Sequence, residues 1–178
     1  MVYKVARMLT IDEAAYLAGL IDGEGTISLS RRHANERRQL VVSISSTEPE
    51  LVDWAASTTG VGKITRKRTL SDKHAPGLTY SVSNRQALAV LKQVVPYLRS
   101  YKRLRARLVL DKYLALTPRN GKYTDKVSLQ REVFETTFLN MTAAAQSRRG
   151  VAEGRSAASP TAGRSTLFTR LDLGTGHS

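Results

Sequence analysis

The sequence predicts an α+β domain in which helices pack on one face of an antiparallel sheet. Three observations lead there. The order of patterns along the chain reads helix, two strands, helix, two strands, helix, helix. Each strand segment alternates apolar with polar residues, as a sheet with one buried face requires. A chain of 178 residues at 41% hydrophobic content can bury one good core and carry a tail besides.

The first helix opens at Thr10-Ile11-Asp12-Glu13, which has the spacing of a capping box, with Leu9 placed to staple against Ala14 or its neighbours. It is expected to run to about Asp22. Alternation then marks strands over Thr26 to Arg32 and Arg37 to Ser46, joined as a hairpin by His33-Ala34-Asn35-Glu36. Thr47-Glu48-Pro49-Glu50 reads as a second capping box with an early proline, opening a helix that stops near Gly60. Gly62 to Arg68 and Leu78 to Ser83 form a second strand pair across a polar loop ending in Pro76-Gly77. Ser83 with Gln86 is expected to cap a third helix closed by Pro96. A fourth runs from about Tyr101 to Leu116, and a further one between Ser128 and Ala145. The domain is therefore expected to span residues 1–145. Residues 146–178 form a basic tail rich in Ser, Gly, Ala and Arg, with too few periodic apolar residues to pack and the composition of a disordered segment.

A net charge of +13 points to a polyanionic partner, with nucleic acid the first candidate and a ribosome-associated or merely supercharged surface the other. No cysteine is present, so thiolate zinc sites and disulfides are excluded, and His33, His74 and His177 are too scattered for a histidine-rich metal site. A metal would use oxygen ligands. Asp12 and Glu13 interrupt the only early apolar run, and no stretch approaches the roughly 20 apolar residues of a membrane span, so an intracellular protein with no membrane partner is expected.

Strand alternation assigns the faces. Ile27, Leu29, Leu40, Val42, Ile44, Ile64, Tyr80 and Val82 point inward. Ser28, Ser30, Arg32, Arg37, Gln39, Val41, Ser43, Thr65, Lys67, Thr79 and Ser81 point outward, giving a face of hydroxyl, amide and basic groups without an acid. Such a face suits base edges and phosphates of a DNA major groove, although a plain solvated sheet face has a similar composition.

The stretch LAGLIDGEG, Leu17 to Gly25, runs small and apolar residues into two carboxylates. Asp22 and Glu24 fall at a helix C-terminus, where negative charge is disfavoured and something must offset it. Ala15, Ala18, Gly19, Asp22 and Gly23 share one stripe of small side chains, suited either to packing within the chain or to close approach of a second copy. Symmetric pairing of two such helices would gather carboxylates from both chains into a hard-oxygen site for Mg²⁺.

That stretch, followed twice by strand, strand and helix, resembles the LAGLIDADG homing endonucleases over roughly Thr10 to Leu116. Seven of nine motif positions match, with Gly and Glu in place of the last Ala and Asp. The resemblance implies a saddle-shaped αββαββα fold with extra C-terminal helices. It implies a Mg²⁺-dependent endonuclease that makes a staggered break in a long, near-palindromic duplex; Mn²⁺ or Ca²⁺ could occupy the same site. Glu24 takes the metal-ligand position, and the carbonyl of Gly23 assists. Lys102, in Pro96-Tyr97-Leu98-Arg99-Ser100-Tyr101-Lys102, matches the family's basic residue near the reacting phosphate, with Arg99 and Arg103 as competitors. Ser46 stands where the family often places Gln or Asn to organise water. Only one copy of the motif is present, which implies a homodimer paired through Ala15, Ala18, Gly19 and Asp22. The alternative within the same fold is a non-cleaving nucleic-acid-binding protein, an intron maturase or a transcriptional regulator.

Overall fold

The computed structural model describes residues 4–31, 33–66, 77–119 and 121–142. In chain order the elements are α1 (Ile11–Glu24), β1 (Gly25–Ser30), β2 (Gln39–Ser46), α2 (Pro49–Thr59), β3 (Lys63–Arg66), β4 (Leu78–Ser83), α3 (Asn84–Val94), α4 (Lys102–Lys112) and α5 (Asp125–Asn140). The strands form an antiparallel sheet in the order β1-β2-β4-β3. Each α-β-β unit thus places its second strand at the centre and its first at an edge. The expected boundary after residue 145 and the tail lie outside the described residues.

The inward face is as alternation predicts. Ile27, Leu29, Leu40, Val42, Ile44, Tyr80 and Val82 are buried against Leu17, Ala18 and Ile21 of α1, Val52 and Ala55 of α2, and Ala87, Val90, Leu91 and Val94 of α3. Burying the Tyr80 ring leaves a hydroxyl that must be satisfied. It shares a 2.7 Å hydrogen bond with the Thr59 hydroxyl, and burial holds its pKa above that of an ordinary tyrosine. Ile64 departs from the expectation: it pairs with Tyr80 but remains 37% exposed, because β3 is a short edge strand.

Local chemistry explains most of the boundaries. The capping box of α1 forms, with Thr10 Oγ1 accepting from Glu13 N at 3.2 Å and Glu13 Oε2 accepting from Thr10 N at 2.9 Å. The other two expected boxes do not. Glu48 is the N-cap of α2 without a side-chain bond, and Pro49 starts the helix, while Ser46 Oγ accepts from Glu48 N at 3.0 Å. Ser83 makes no cap bond, and Gln86 instead donates to the carbonyl of Lys4 at 2.7 Å. The fifth helix begins earlier than its apolar pattern suggests, because Thr124 caps it by accepting from Val127 N.

Gly25, which caps α1 and starts β1, has no room for a side chain: an added Cβ would lie 2.6 Å from Ile21 Cα. That close approach turns the chain from helix directly into strand. On the opposite side, α5 is fastened by the fully buried Arg131. Its guanidinium donates to the carbonyls of Leu116 and Arg38 and to Thr117, pairs with Glu135, and lies over the rings of Tyr113 and Phe134. A buried cation needs that complete set of partners.

Candidate active site and nucleic-acid interface

The last turn of α1 ends in carbonyls with no partner inside the helix. Lys102, delivered from the first turn of α4, supplies one: its Nζ donates to Ile21 O at 2.8 Å and to Asp22 O at 2.9 Å. Only 7% of Lys102 is exposed, and burial lowers its pKa below the ordinary lysine value against the raising effect of Asp22 and Glu24. The positive charge required at this helix end therefore comes from within the chain. Of the three competing basic residues, Lys102 is the one that touches the motif; Arg99 is exposed, and Arg103 Nε is buried without a partner.

The two motif carboxylates have separate environments. Asp22 is half-buried and occupied, its Oδ2 accepting from Arg99 N at 2.6 Å and its Oδ1 from Ser100 Oγ at 2.5 Å, which ties α1 to the α3–α4 connection. Assigning Asp22 to a partner surface is corrected accordingly. Glu24 is exposed and forms no ion pair with any described residue. Among the described residues no group of three or more His, Cys, Asp or Glu side chains could hold a metal. One chain brings two hard oxygen donors, the Glu24 carboxylate and the Gly23 carbonyl, which fit a share of a Mg²⁺ site but not a whole one.

The small stripe divides between two faces. Ala18 is fully buried in the core, which corrects its placement at a dimer interface: with Ala14, Leu17 and Ile21 it faces the sheet. Ala15, Gly19 and Gly23 are exposed, and a Cβ built at Gly19 or Gly23 would meet nothing within 4 Å. Nothing within the chain requires glycine at those helical positions. Ser46 lies at the Gly25 end of the sheet, two residues beyond the Gly25↔Ile44 pair, but its hydroxyl already holds the start of α2.

On the sheet's other face, register brings together Ser28↔Val41, Ser30↔Gln39, Ser43↔Ser81 and Thr65↔Thr79. Parity adds Thr26, Ser45, Lys63 and Ser83, which hydrophobic alternation did not single out. Ser45 and Thr79 share a 2.9 Å hydroxyl bond, while Ser30 and Thr65 are exposed. Arg32 and Lys67 lie outside the described residues. Arg37 is corrected: it precedes β2, stacks over Tyr123 at 4.1 Å and donates to Ser128 Oγ, so it belongs to the end of the sheet and not to the face. Gln39 is positioned by a chain invisible to strand periodicity. The Tyr113 hydroxyl accepts from Leu40 N at 3.0 Å and donates to Asn84 Oδ1 at 2.7 Å, and Asn84 Nδ2 donates to Gln39 Oε1 at 3.3 Å. Asn84 has φ +54°, a left-handed conformation that asparagine tolerates better than most residues.

No protein-family model matches the chain, and no curated protein matches it in sequence. Solved structures do resemble it. The homing endonuclease I-CvuI, in complex with its target in the presence of calcium, superposes with a TM-score of 0.61 at 18% identity, over 84% of this chain and 98% of that one. An archaeal intron-encoded homing endonuclease, I-Vdi141I, complexed with DNA, gives 0.56 at 17% identity over 74% and 84%. The LAGLIDADG meganuclease I-AabMI, bound to uncleaved DNA, gives 0.52 at 21% identity, covering 68% of this chain but 43% of that one. The helix and sheet arrangement is thus that of the LAGLIDADG homing endonucleases.

Proposed function

We propose that this chain, with its LAGLIDADG homing-endonuclease fold, is a site-specific DNA endonuclease that works as a homodimer and depends on Mg²⁺. One observation carries the reading: a free, exposed Glu24 stands beside the buried ammonium of Lys102, at the end of an acid-free sheet face. The exposed Ala15, Gly19 and Gly23 provide a close-packing surface for a second α1, which would bring the two Glu24 carboxylates together. The DNA-bound structures that the fold resembles support the same reading.

Glu24 and the Gly23 carbonyl of each chain would hold the metal with DNA oxygens. When bound, Mg²⁺ supplies Lewis-acid stabilisation of the phosphodiester and a lowered pKa for water. Lys102 holds the last carbonyls of α1 and so fixes where Glu24 is presented; its positive charge also favours a phosphate next to it. Asp22 joins α1 to α4 and keeps Lys102 in register with the motif. The sheet face, with Gln39, Ser28, Ser30, Ser43, Thr65, Thr79 and Ser81, reads base edges, and each protomer reads one half-site.

The test is a cleavage selection from a pool of randomised duplexes, with Mg²⁺ in one arm and EDTA in the other. The expected result is enrichment of a long, near-palindromic site cut on both strands, in the Mg²⁺ arm only. Enrichment by binding without strand breaks in either arm would reject the nuclease.

A further inference from the structure

We infer that a cleft at the end of the sheet away from Glu24 holds the phosphate backbone of duplex DNA outside the base pairs read by the sheet, an inference that rests on the DNA-binding reading above. The cleft has a volume of about 840 Å³ and is formed where β2 begins, β4 ends, α3 starts and the chain leaves α4. Its lining holds five cationic residues, Lys4, Arg37, Arg38, Arg85 and Arg119, against one acid, Glu36. Gln39, Ser83 and Gln86 line both this cleft and a hollow formed with Ser30, Val41 and Ser81 of the sheet's polar face. A duplex lying along that face meets the cleft as it leaves the sheet.

The five cations divide into two groups. Arg37 is committed to Tyr123 and Ser128, and Arg38 to Glu135 and the carbonyl of Leu29, so these two shape the wall. Lys4, Arg85 and Arg119 are different: the ion pairs among the described residues use Arg7, Arg38 and Arg131. The protein has therefore gathered three cations from three separate segments into one hollow without neutralising them. Like charges so placed repel each other and weaken the isolated fold, a cost that an anionic partner removes. The cleft is open and its charges are spread along it, which suits a row of phosphates, each met by a single point charge. Such contacts add affinity and orientation without reading sequence.

The experiment uses the duplex site obtained from the selection above, prepared in two lengths: trimmed to the last selected base pair, and extended on both sides. Full-length wild type is compared with Arg85→Gln/Arg119→Gln and with Arg85→Lys/Arg119→Lys, each checked for unchanged thermal melting; Lys4→Gln/Arg119→Gln serves as a second pair should the first fail to fold. On the extended duplex, wild type is expected to protect sugars from hydroxyl radicals beyond the outermost selected positions. The glutamine variant should lose that outer protection, and its plot of log affinity against log salt should flatten by about 2 for two lost phosphate contacts. The lysine variant should retain both properties. On the trimmed duplex the three proteins should agree, and the selected sequence should not change. Unaltered outer protection and slope in the glutamine variants, with specific binding intact, overturn the cleft alone. A wild type that binds no duplex overturns the endonuclease reading and the cleft with it.

Discussion

Side chains of one type perform unlike tasks here, and their surroundings decide which. Asp22 accepts hydrogen bonds from the Arg99–Ser100 turn and is structural, whereas Glu24, two residues on, is left exposed. Changing Glu24 to Gln removes a ligand charge and leaves the sheet face untouched. Under single-turnover conditions the variant is expected to cleave about 100-fold more slowly or worse while keeping most of its DNA affinity. Cleavage at the wild-type rate would contradict the metal role. Gln39 offers a second residue-level test, because Asn84 orients its amide. Asn84→Gly preserves the left-handed backbone at φ +54° but drops the network, so the chain should fold and yet select sites with relaxed preference at one or two positions per half-site. Sharpened or unchanged preference would show that Gln39 needs no such positioning. LAGLIDGEG made Glu24 and Lys102 legible through its resemblance. The Asn84–Tyr113 network was not legible, because its members are far apart in sequence and join only when α4 packs beneath β2.

Among the elements, α1 shows how far sequence reasoning reaches. Its start was readable because a capping box is local chemistry, and its inward residues were readable by helical spacing. The division of the small stripe was not: Ala15 and Ala18 look alike in sequence, and only the sheet's position sends one outward and the other into the core. Gly19→Leu exploits that division. A side chain there meets nothing within the chain, and leucine favours helix over glycine, so the monomer is expected to keep its stability or gain up to about 1 kcal/mol while losing its dimer. Light scattering reporting an unchanged dimer mass would place the interface elsewhere. The capping box also carries a pH dependence. The Thr10 amide, followed by the Arg7 guanidinium, holds the Glu13 pKa below 4.5, so its contribution is present above that value and is lost as pH falls through the lowered one. Glu13→Gln should flatten that part of the acid limb of a denaturation curve, leaving stability near neutrality less sensitive to protons. An acid limb of unaltered slope would mean that the pair exists only as a surface contact.

At the level of the whole molecule, the fold class, the strand order within each repeat and the polar sheet face were all readable from alternation alone. What escaped was the end of the sheet. Arg37 lies two residues before β2 and so leaves the period, and the charged cleft draws on residues from 4 to 119 that no local pattern connects. The outward side of α1 has a consequence for how this protein behaves in dilute solution. Met8, Ile11 and Tyr16 leave 81%, 72% and 49% of their surfaces in water when the chain is alone, beside the bare Gly19 and Gly23. If a second copy covers them, association and folding are linked by mass action, and the apparent melting temperature belongs to a concentration as much as to a sequence. Wild-type Tm is expected to climb with each tenfold increase in protein, whereas Gly19→Leu should melt at one temperature throughout the series. A wild type indifferent to concentration from monomeric to dimeric conditions would contradict that linkage. Where the linkage holds, a cell containing few molecules would hold them mostly as the less stable lone chain, so that the dose of this protein, and not only its sequence, would set how much competent dimer exists.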